Sequence, residues 1–443
     1  MAGVDQASIR RRSVMMMLAG AAVAPALAGC VREGGQPTQE PAVEASGPIE
    51  GTVEFWTINL RKNFQEYFDT LISDFESQHD GVKVNWVDVP GEDMTAKYLS
   101  AIASNKVPDV INVDSKNLGQ LDATLADHDA LWSDEDLTAF QPGLVEGLRV
   151  GSTLKGIPWY NSGTRVMMYR KSIMEEAGFT VDQAPTTWQE ALELADKVHE
   201  ATGVYGTNTD PGSLQLLALG VEFVNDELTE AIFNTDEAAG FVELFQEAYA
   251  SGAIAPGASA PDGKEPQTID NAQIAFKSAG PGAFTSLEKN TPKAYEDLLV
   301  TEAPKTIDGK NQMTGQMALS IPAQSSNMAG AKAFLDHVAS AQAQLEFCKL
   351  VAIFPSTVAT LEDPLFADNP GETPTEQARK IVVDGFPDAV DTTIPLPAGI
   401  PNQLRTDFTL AMKETMRSGA DAKSSLDAQQ KTWQDALDKA NKS

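Results

Sequence analysis

The sequence predicts an α/β protein of two lobes, each a central, mostly parallel sheet flanked by helices, and three observations carry that expectation. At 443 residues the chain is too long for one ordinary core, which favours two compact units. Its first folded stretch alternates strand-like and helix-like runs, with strands restarting roughly every 30 residues, the rhythm of right-handed βαβ units. A hydrophobic content of 42% and a charged content of 22% are those of a folded chain rather than a disordered one.

Ahead of the folded stretch stands "SIRRRSVMMMLAGAAVAPALAGC", with Arg10, Arg11 and Arg12 before an apolar run from Val14 to Leu27. That run is shorter than the roughly 20 residues a membrane-spanning helix needs, so residues 1–29 read as a signal peptide. The arginines with Ser13, Val14 and Met15 resemble a twin-arginine export signal, and a general secretory signal fits as well. Leu27, Ala28, Gly29 and Cys30 resemble the bacterial lipobox, in which cleavage leaves Cys30 as the lipidated first residue. Residues 31–50 hold three prolines, four glutamates and no aromatic residue, the composition of a disordered tether.

The first predicted strand, "TVEFWTI" (52–58), is followed by a helix with Phe64, Tyr67, Phe68, Leu71, Ile72 and Phe75 on one stripe. A second strand (81–89), a helix in "DMTAKYLSAIAS" and a third strand, "PDVINVD" (108–114), complete the repeat. Asp114, Ser115 and Lys116 then stand past a strand's C-terminal end, where open α/β sheets bind ligands. After an acidic segment (122–151), "TRVMMYR" reads as a strand and "KSIMEEAGF" as a short helix ended by Gly178. Thr187 and Glu190 fit a capping box for a helix burying Trp188, Ala191, Leu192, Ala195 and Val198. A helix across "DEAAGFVELFQEAYASG", a strand running into the turn "SAGPGAF", and a strand "GQMALSIP" ending at Pro322 come next. Two C-terminal helices carry Leu404, Phe408, Ala411, Met412 and Met416, then Leu426, Trp433 and Leu437.

Composition and motifs exclude several functions. A formal charge of −30, or −32 once residues 1–29 with their three Arg and one Asp are removed, argues against nucleic acid. No nucleophile elbow, P-loop or H-E-x-x-H motif is present, and the four histidines are not spaced as a ligand pair. "DHDALWSDEDL" (127–137) lacks the glycine and final glutamate of an EF-hand loop and reads as an exposed acidic turn. Cys348, in "AQLEFCKL", reads as a small buried hydrophobe, and with Cys30 lipidated no intrachain disulfide is expected. No catalytic residue, cofactor or metal site is expected.

Trp56, Asp114, Trp159, Tyr160, Asn161, Asn208, Phe284 and Phe354 recur instead at strand ends and glycine turns. Aromatic faces stack on the apolar faces of sugar rings while Asn, Asp and Arg pair with hydroxyls. Together on an exported chain they point to a carbohydrate cleft.

Several blocks in order carry a resemblance: "TVEFWT", "PDVINVD", "KGIPWYNSGTRVMMYRKSIMEEAGF" running into "PTTWQEALELADKV", "AFKSAGPGAF" and "GQMALSIPAQSSNMAGAKAFLDHVAS". With them the chain resembles the extracellular solute-binding proteins of bacterial ABC importers, in the carbohydrate-uptake group (family 1) to which maltose-binding proteins belong. The resemblance implies a two-lobe periplasmic-binding-protein-like fold of type II that closes on its ligand by hinge motion. Crossovers are expected near 160–164, 320–322 and 353–355, so that 51–161 with about 321–353 form one lobe and about 162–320 with 354–443 the other. It implies a monomer without cofactor that takes a mono- to oligosaccharide and passes it to permease subunits driven by a cytoplasmic ATPase. By position, the first lobe offers Trp56, Asn59, Arg61, Asp114 and Ser115, with Trp159, Tyr160 and Asn161 at the cleft floor. The second offers Asn208, Asp210, Gly280, Phe284, Phe354, Asn402 and Arg405.

Asp114 is the leading candidate for a hydroxyl acceptor, against a plain capping role. Gly282 stands where maltose-type members carry a stacking aromatic, which argues against a long maltodextrin. "WVDVP" and "GIPWY" are similar to members linked to amino-sugar disaccharides such as chitobiose. The alternatives are a secreted glycoside-active enzyme and a binder of a non-sugar solute such as a glycerol phosphate ester.

Overall fold

The computed structural model describes residues 47–257, 267–368, 371–394, 396–397, 400 and 403–441. The expected signal peptide, the lipidation site Cys30, most of the tether and Asn402 lie outside the described residues. In chain order the strands are β1 (Gly51–Ile58), β2 (Val82–Val89), β3 (Val110–Asp114), β4 (Arg149–Val150), β5 (Thr153–Leu154), β6 (Ile157–Asn161), β7 (Val166–Arg170), β8 (Phe276–Ala279), β9 (Leu298–Glu302), β10 (Asn311–Met313), β11 (Gln316–Ser320), β12 (Phe354–Pro355) and β13 (Ala389–Asp391).

The first lobe is built on a six-stranded sheet of order β12-β6-β11-β3-β1-β2. β1 runs parallel to β2 and β3, as the βαβ rhythm predicts. The helix Arg61–Gln78 covers one face with Phe68, Leu71 and Phe75 buried, Phe68 lying 4.7 Å from Trp86 and Phe75 5.0 Å from Phe334 between ring centroids. β11 and β12 run antiparallel to their neighbours, so the expected mostly parallel sheet is present only in part. The second-lobe sheet, β8-β7-β9, is antiparallel throughout. The reason is where each strand enters: strands joined by local helices return in the same direction, whereas β11 and β7 arrive from the other lobe and run away from the shared edge.

The helix Trp188–Thr202 opens with the predicted capping box of Thr187 and Glu190 and ends at Gly203 in the left-handed region, φ 72°. Its five predicted apolar residues are all buried. Helices Asp236–Ala250, Gln403–Ser418 and Ala422–Ala440 complete this lobe, and Phe223, Phe233, Phe408 and Trp433 meet at its centre with edge-on and tilted ring contacts.

Three passages join the lobes. The first is 162–165, between β6 and β7. The second precedes β11 and comprises Thr314 and Gly315, not 320–322, because β11 hydrogen-bonds to β3 and β6 in the first lobe. The third follows Thr357 rather than lying at 353–355: β12 pairs with β6, Ser356 Oγ donates to Pro158 O at 2.7 Å, and Gln141 N donates to Ser356 O at 2.9 Å. Ala389 and Leu396 then lie against the first lobe. Two glycines admit them: a Cβ at Gly143 would stand 1.9 Å from Ala389 O and one at Gly119 would stand 2.3 Å from Leu396 O, distances no side chain tolerates.

The acidic stretch 127–137 has structural work for its carboxylates. Asp129 pairs with Arg149 at 2.9 Å and Asp136 closes a capping box with Ser133. Cys348 is buried, and burial pushes its thiol up to about 12.

Candidate ligand-binding cleft

β6 leaves and β11 enters the first sheet at one end, where Asn161 faces Gln316, and the candidate site is built along that end. In the ladder Met317 pairs with Asp114 on one side and with Tyr160 on the other. Cross-strand partners share a face, so Asp114, Met317 and Tyr160 form one row across β3, β11 and β6. Gln316 and Asn161 form the next row.

Asp114 serves as the capping residue weighed for it. Its Oδ1 accepts from Lys116 N at 3.2 Å, capping the short turn after β3, and its Oδ2 pairs with Lys116 Nζ at 2.5 Å. The Tyr160 hydroxyl is pushed above the ordinary phenol range by burial, and the Asp114 carboxylate adds to the push. From the second lobe, Arg405 at the start of helix Gln403–Ser418 donates to Lys116 O at 3.3 Å and to Ile394 O. Burial lowers its pKa to about 10, with Asp114 opposing. Two residues from the first lobe and one from the second therefore share one electrostatic neighbourhood.

Beside them is a residue the sequence did not flag. Asp391, at the end of β13, accepts from Thr393 Oγ1 at 2.6 Å, Thr393 N at 2.9 Å and Gly315 N at 3.2 Å, and Ser115 also bonds it. Ser115 Oγ in turn accepts from Gln316 N at 3.1 Å. This links the second passage to both β3 and β13. Burial raises the Asp391 pKa against these donors. In "AVDTTIP" nothing distinguishes this aspartate from the chain's many others.

The other expected residues divide. Asn59 is exposed at the end of β1 with φ 53°. Asn161 is buried; its Oδ1 accepts from Gly163 N at 2.7 Å while its Nδ2 has no partner. Asn208 and Asp210 lie in the loop before helix Ser213–Ala218, with Asn208 Nδ2 donating to Gln267 O at 3.3 Å. A Cβ at Gly212 would lie 3.2 Å from Asp210 Oδ1 and 3.4 Å from Thr409 Cγ2, so this loop abuts the helix that carries Arg405. At Gly280 a Cβ would meet nothing within 4 Å.

Five expected contacts are placed elsewhere. Trp159 is 0% exposed, with its ring 5.8 Å from Phe347 and 6.5 Å from Phe55; strand alternation that turns Tyr160 to one face sends Trp159 into the core. Trp56 is buried with Nε1 donating to Glu54 Oε1 at 2.6 Å and Lys97 over its ring. The Arg61 guanidinium stacks over Trp86 at 4.2 Å and donates to Trp86 O. Phe284 faces inward because Gly282 begins the helix Gly282–Asn290, which turns the expected glycine-rich loop into a helical face. Phe354 packs against Phe386 and Phe366. A separate hollow between the lobes, about 690 Å³, is lined by Arg149, Glu222, Asp226, Asp308 and Asp391 among others. Its charged lining residues are four carboxylates and Arg149, set among apolar and neutral polar side chains.

Comparison with known proteins identifies the family and the fold. A family model described as bacterial extracellular solute-binding protein matches residues 59–345. YcjN of Escherichia coli K12, provisionally named an ABC transporter periplasmic-binding protein, is 27% identical over 165 residues, 35% of this chain. The match spans 37% of that relative's length. Among solved structures, the sugar-binding protein MalE of Xanthomonas citri superposes with a TM-score of 0.72 at 21% identity, covering 88% of this chain and 98% of that one. The cyclic α-maltosyl-1,6-maltose binding protein of Arthrobacter globiformis superposes with a TM-score of 0.70 at 20% identity, covering 88% and 99%. At these identities the structures establish a shared fold.

Proposed function

Because the chain belongs to the bacterial extracellular solute-binding proteins, we propose that it captures a saccharide between its lobes and presents it to the permease of an ABC importer. The observation that supports this most is the meeting of Asp114 and Tyr160 from one lobe with Arg405 from the other at the edge where the chain passes between them. Such a constellation is complete only when the lobes are together. A ligand bridging it stabilises the closed form, and release to a permease follows from opening, with no covalent step. Asp114 accepts from sugar hydroxyls, the Tyr160 hydroxyl and the Asn161 amide donate, and Asn59, Ser115, Asn208, Asp210 and Gly280 line the approach.

A thermal-shift screen of the full chain against mono- and oligosaccharides, chitobiose included, tests this reading. A sugar at 100 times its Kd should stabilise by about 2.7 kcal/mol. Asp114→Ala should weaken that sugar's binding by about tenfold, the worth of one charge-assisted hydrogen bond, with little change in the unliganded melting temperature. Melting shifts produced only by non-sugar solutes, or turnover of an oligosaccharide, would count against it.

The same reading puts the protein on the outer face of the membrane, tethered through a lipid at Cys30. Cys30→Ser should move the protein from the membrane fraction to the soluble one. Unchanged fractionation would remove the anchor from the proposal.

A further inference from the structure

We infer that the saccharide bound here is acidic, carrying an oxyanion substituent that the Arg165 guanidinium receives at the second-lobe side of the cleft. This rests on the saccharide reading above and narrows it to a class of ligand.

Arg165 is the last residue of the first passage, immediately before β7. Along β7 the side chains alternate, with Val166 and Met168 in one core and Met167 and Tyr169 in the other. Arg165 continues the second series. Its face is the one shared with the helix that carries Arg405, since Phe408 and Met412 belong to the same core as Met167 and Tyr169. Its main-chain N donates to Gln312 O at 3.1 Å, and Gln312 Nε2 reaches Leu214 O at 2.9 Å. The Arg165 main chain is thus linked through Gln312 to Leu214, at the end of the stretch that holds Asn208 and Asp210.

The guanidinium donates from Nε to Ser278 Oγ at 2.8 Å and from Nη2 to Ser278 O at 2.7 Å. Both acceptors are neutral. Five N–H bonds are available on an arginine, so the rest of the fork is uncommitted. Among the described residues no carboxylate lies within ion-pair distance of it, whereas Arg149 pairs with Asp129 and Arg170 with Asp297. Burial alone disfavours its charge, with no acidic neighbour to restore it.

A partly buried guanidinium without a counter-charge leaves a charge to be matched, and in a chain with 63 carboxylates to 33 basic residues a partner was readily available. A bound carboxylate or phosphate would supply it through the planar two-pronged contact that arginine makes best. The nearby charges do not fill the role: Asp114 is paired with Lys116, and burial disfavours the charged form of Asp391. Space is present as well. Ser278 leads through Ala279 to Gly280 and Gly282, where an added Cβ meets nothing within 4 Å.

Calorimetry on the full chain decides the matter with three probes: a disaccharide ending in a uronic acid, its neutral counterpart with the carboxylate replaced by a hydroxymethyl group, and glucose 6-phosphate. At least one anionic sugar should bind tenfold or more tightly than the neutral disaccharide, and added salt should narrow the gap. Arg165→Gln should abolish the preference and Arg165→Lys should keep part of it, because lysine supplies charge without the fork. A preference for glucose 6-phosphate alone supports the inference and identifies the oxyanion as phosphate. Equal or tighter binding of the neutral disaccharide by the unmodified protein overturns the acidic class and leaves the saccharide reading standing. Binding of none of the three, with no sugar active in the thermal screen, overturns both. The unmodified protein alone separates these outcomes if the Arg165 variants do not fold.

Discussion

Trp159→Ala should destabilise the protein by about 3–5 kcal/mol, the range for removing a large aromatic side chain from a packed core. Trp159 is fully buried and its ring contacts Phe55, Phe68, Tyr160 and Phe347 at centroid distances of 4.8 to 6.5 Å. No neighbour can close the space without moving β6, and β6 is held on both sides by β11 and β12. Trp159→Phe should cost much less. The indole Nε1 has no hydrogen-bond partner, and deleting a buried unsatisfied donor returns part of what the smaller ring loses. Urea unfolding of the two variants checks the order. A Trp159→Ala protein with unaltered stability and lost sugar binding would return Trp159 to the cleft wall.

The second large effect is a pH dependence seated at His128. The ring is 0% exposed, Nδ1 lies 3.0 Å from Ala126 O, and Nε2 accepts from Ile321 N at 3.1 Å. Ile321 N can only donate, so Nε2 carries no proton and Nδ1–H donates to Ala126. Burial is the chief reason the pKa falls to about 4, opposed by the Ala126 carbonyl. The unfolded chain takes up a proton near pH 6.5 and the folded one only near pH 4. This contribution to stability is therefore complete above pH 6.5 and is lost on acidification toward pH 4, amounting to about 2 kcal/mol by pH 5. Urea midpoints at pH 7.5 and pH 5 should diverge for the unmodified protein and His128→Gln, whose amide can donate to Ala126 O and accept from Ile321 N. The carboxylates common to both proteins cancel in that comparison. Parallel pH dependence in the two would show that His128 does not carry the effect.

Much of the fold was legible because its signals are local. The Thr187–Glu190 capping box lies within four residues, and Trp188, Ala191, Leu192, Ala195 and Val198 recur at the period of a helix. The β1–β2–β3 repeat likewise needs only short connections. The turn after β3 was legible from the polar residues that follow the strand ending at Asp114. The errors share another cause. Gln316–Ser320 reads as a strand in any setting, but its lobe is decided by hydrogen bonds to Asn112 and Val113 two hundred residues earlier. Phe284 stands in a glycine-rich string that could turn or coil, and the helix beginning at Gly282 buries it. Asp391 acquires its importance only when Gly315 and Ser115 arrive beside it.

By itself the sequence determined the class of the protein: an α/β chain whose strand and helix periods are written in residues one to four apart, with aromatic and small polar residues at strand ends. The tertiary structure alone decided which of two sequence neighbours joins the row with Asp114. Tyr160 and Trp159 are neighbours in sequence, yet Tyr160 stands half-buried in the row with Asp114 while Trp159 is fully buried against Phe55 and Phe68. Which face of β6 meets the cleft depends on the strands beside it. Those strands come from residues about 150 and 200 positions away, a separation that no local pattern encodes.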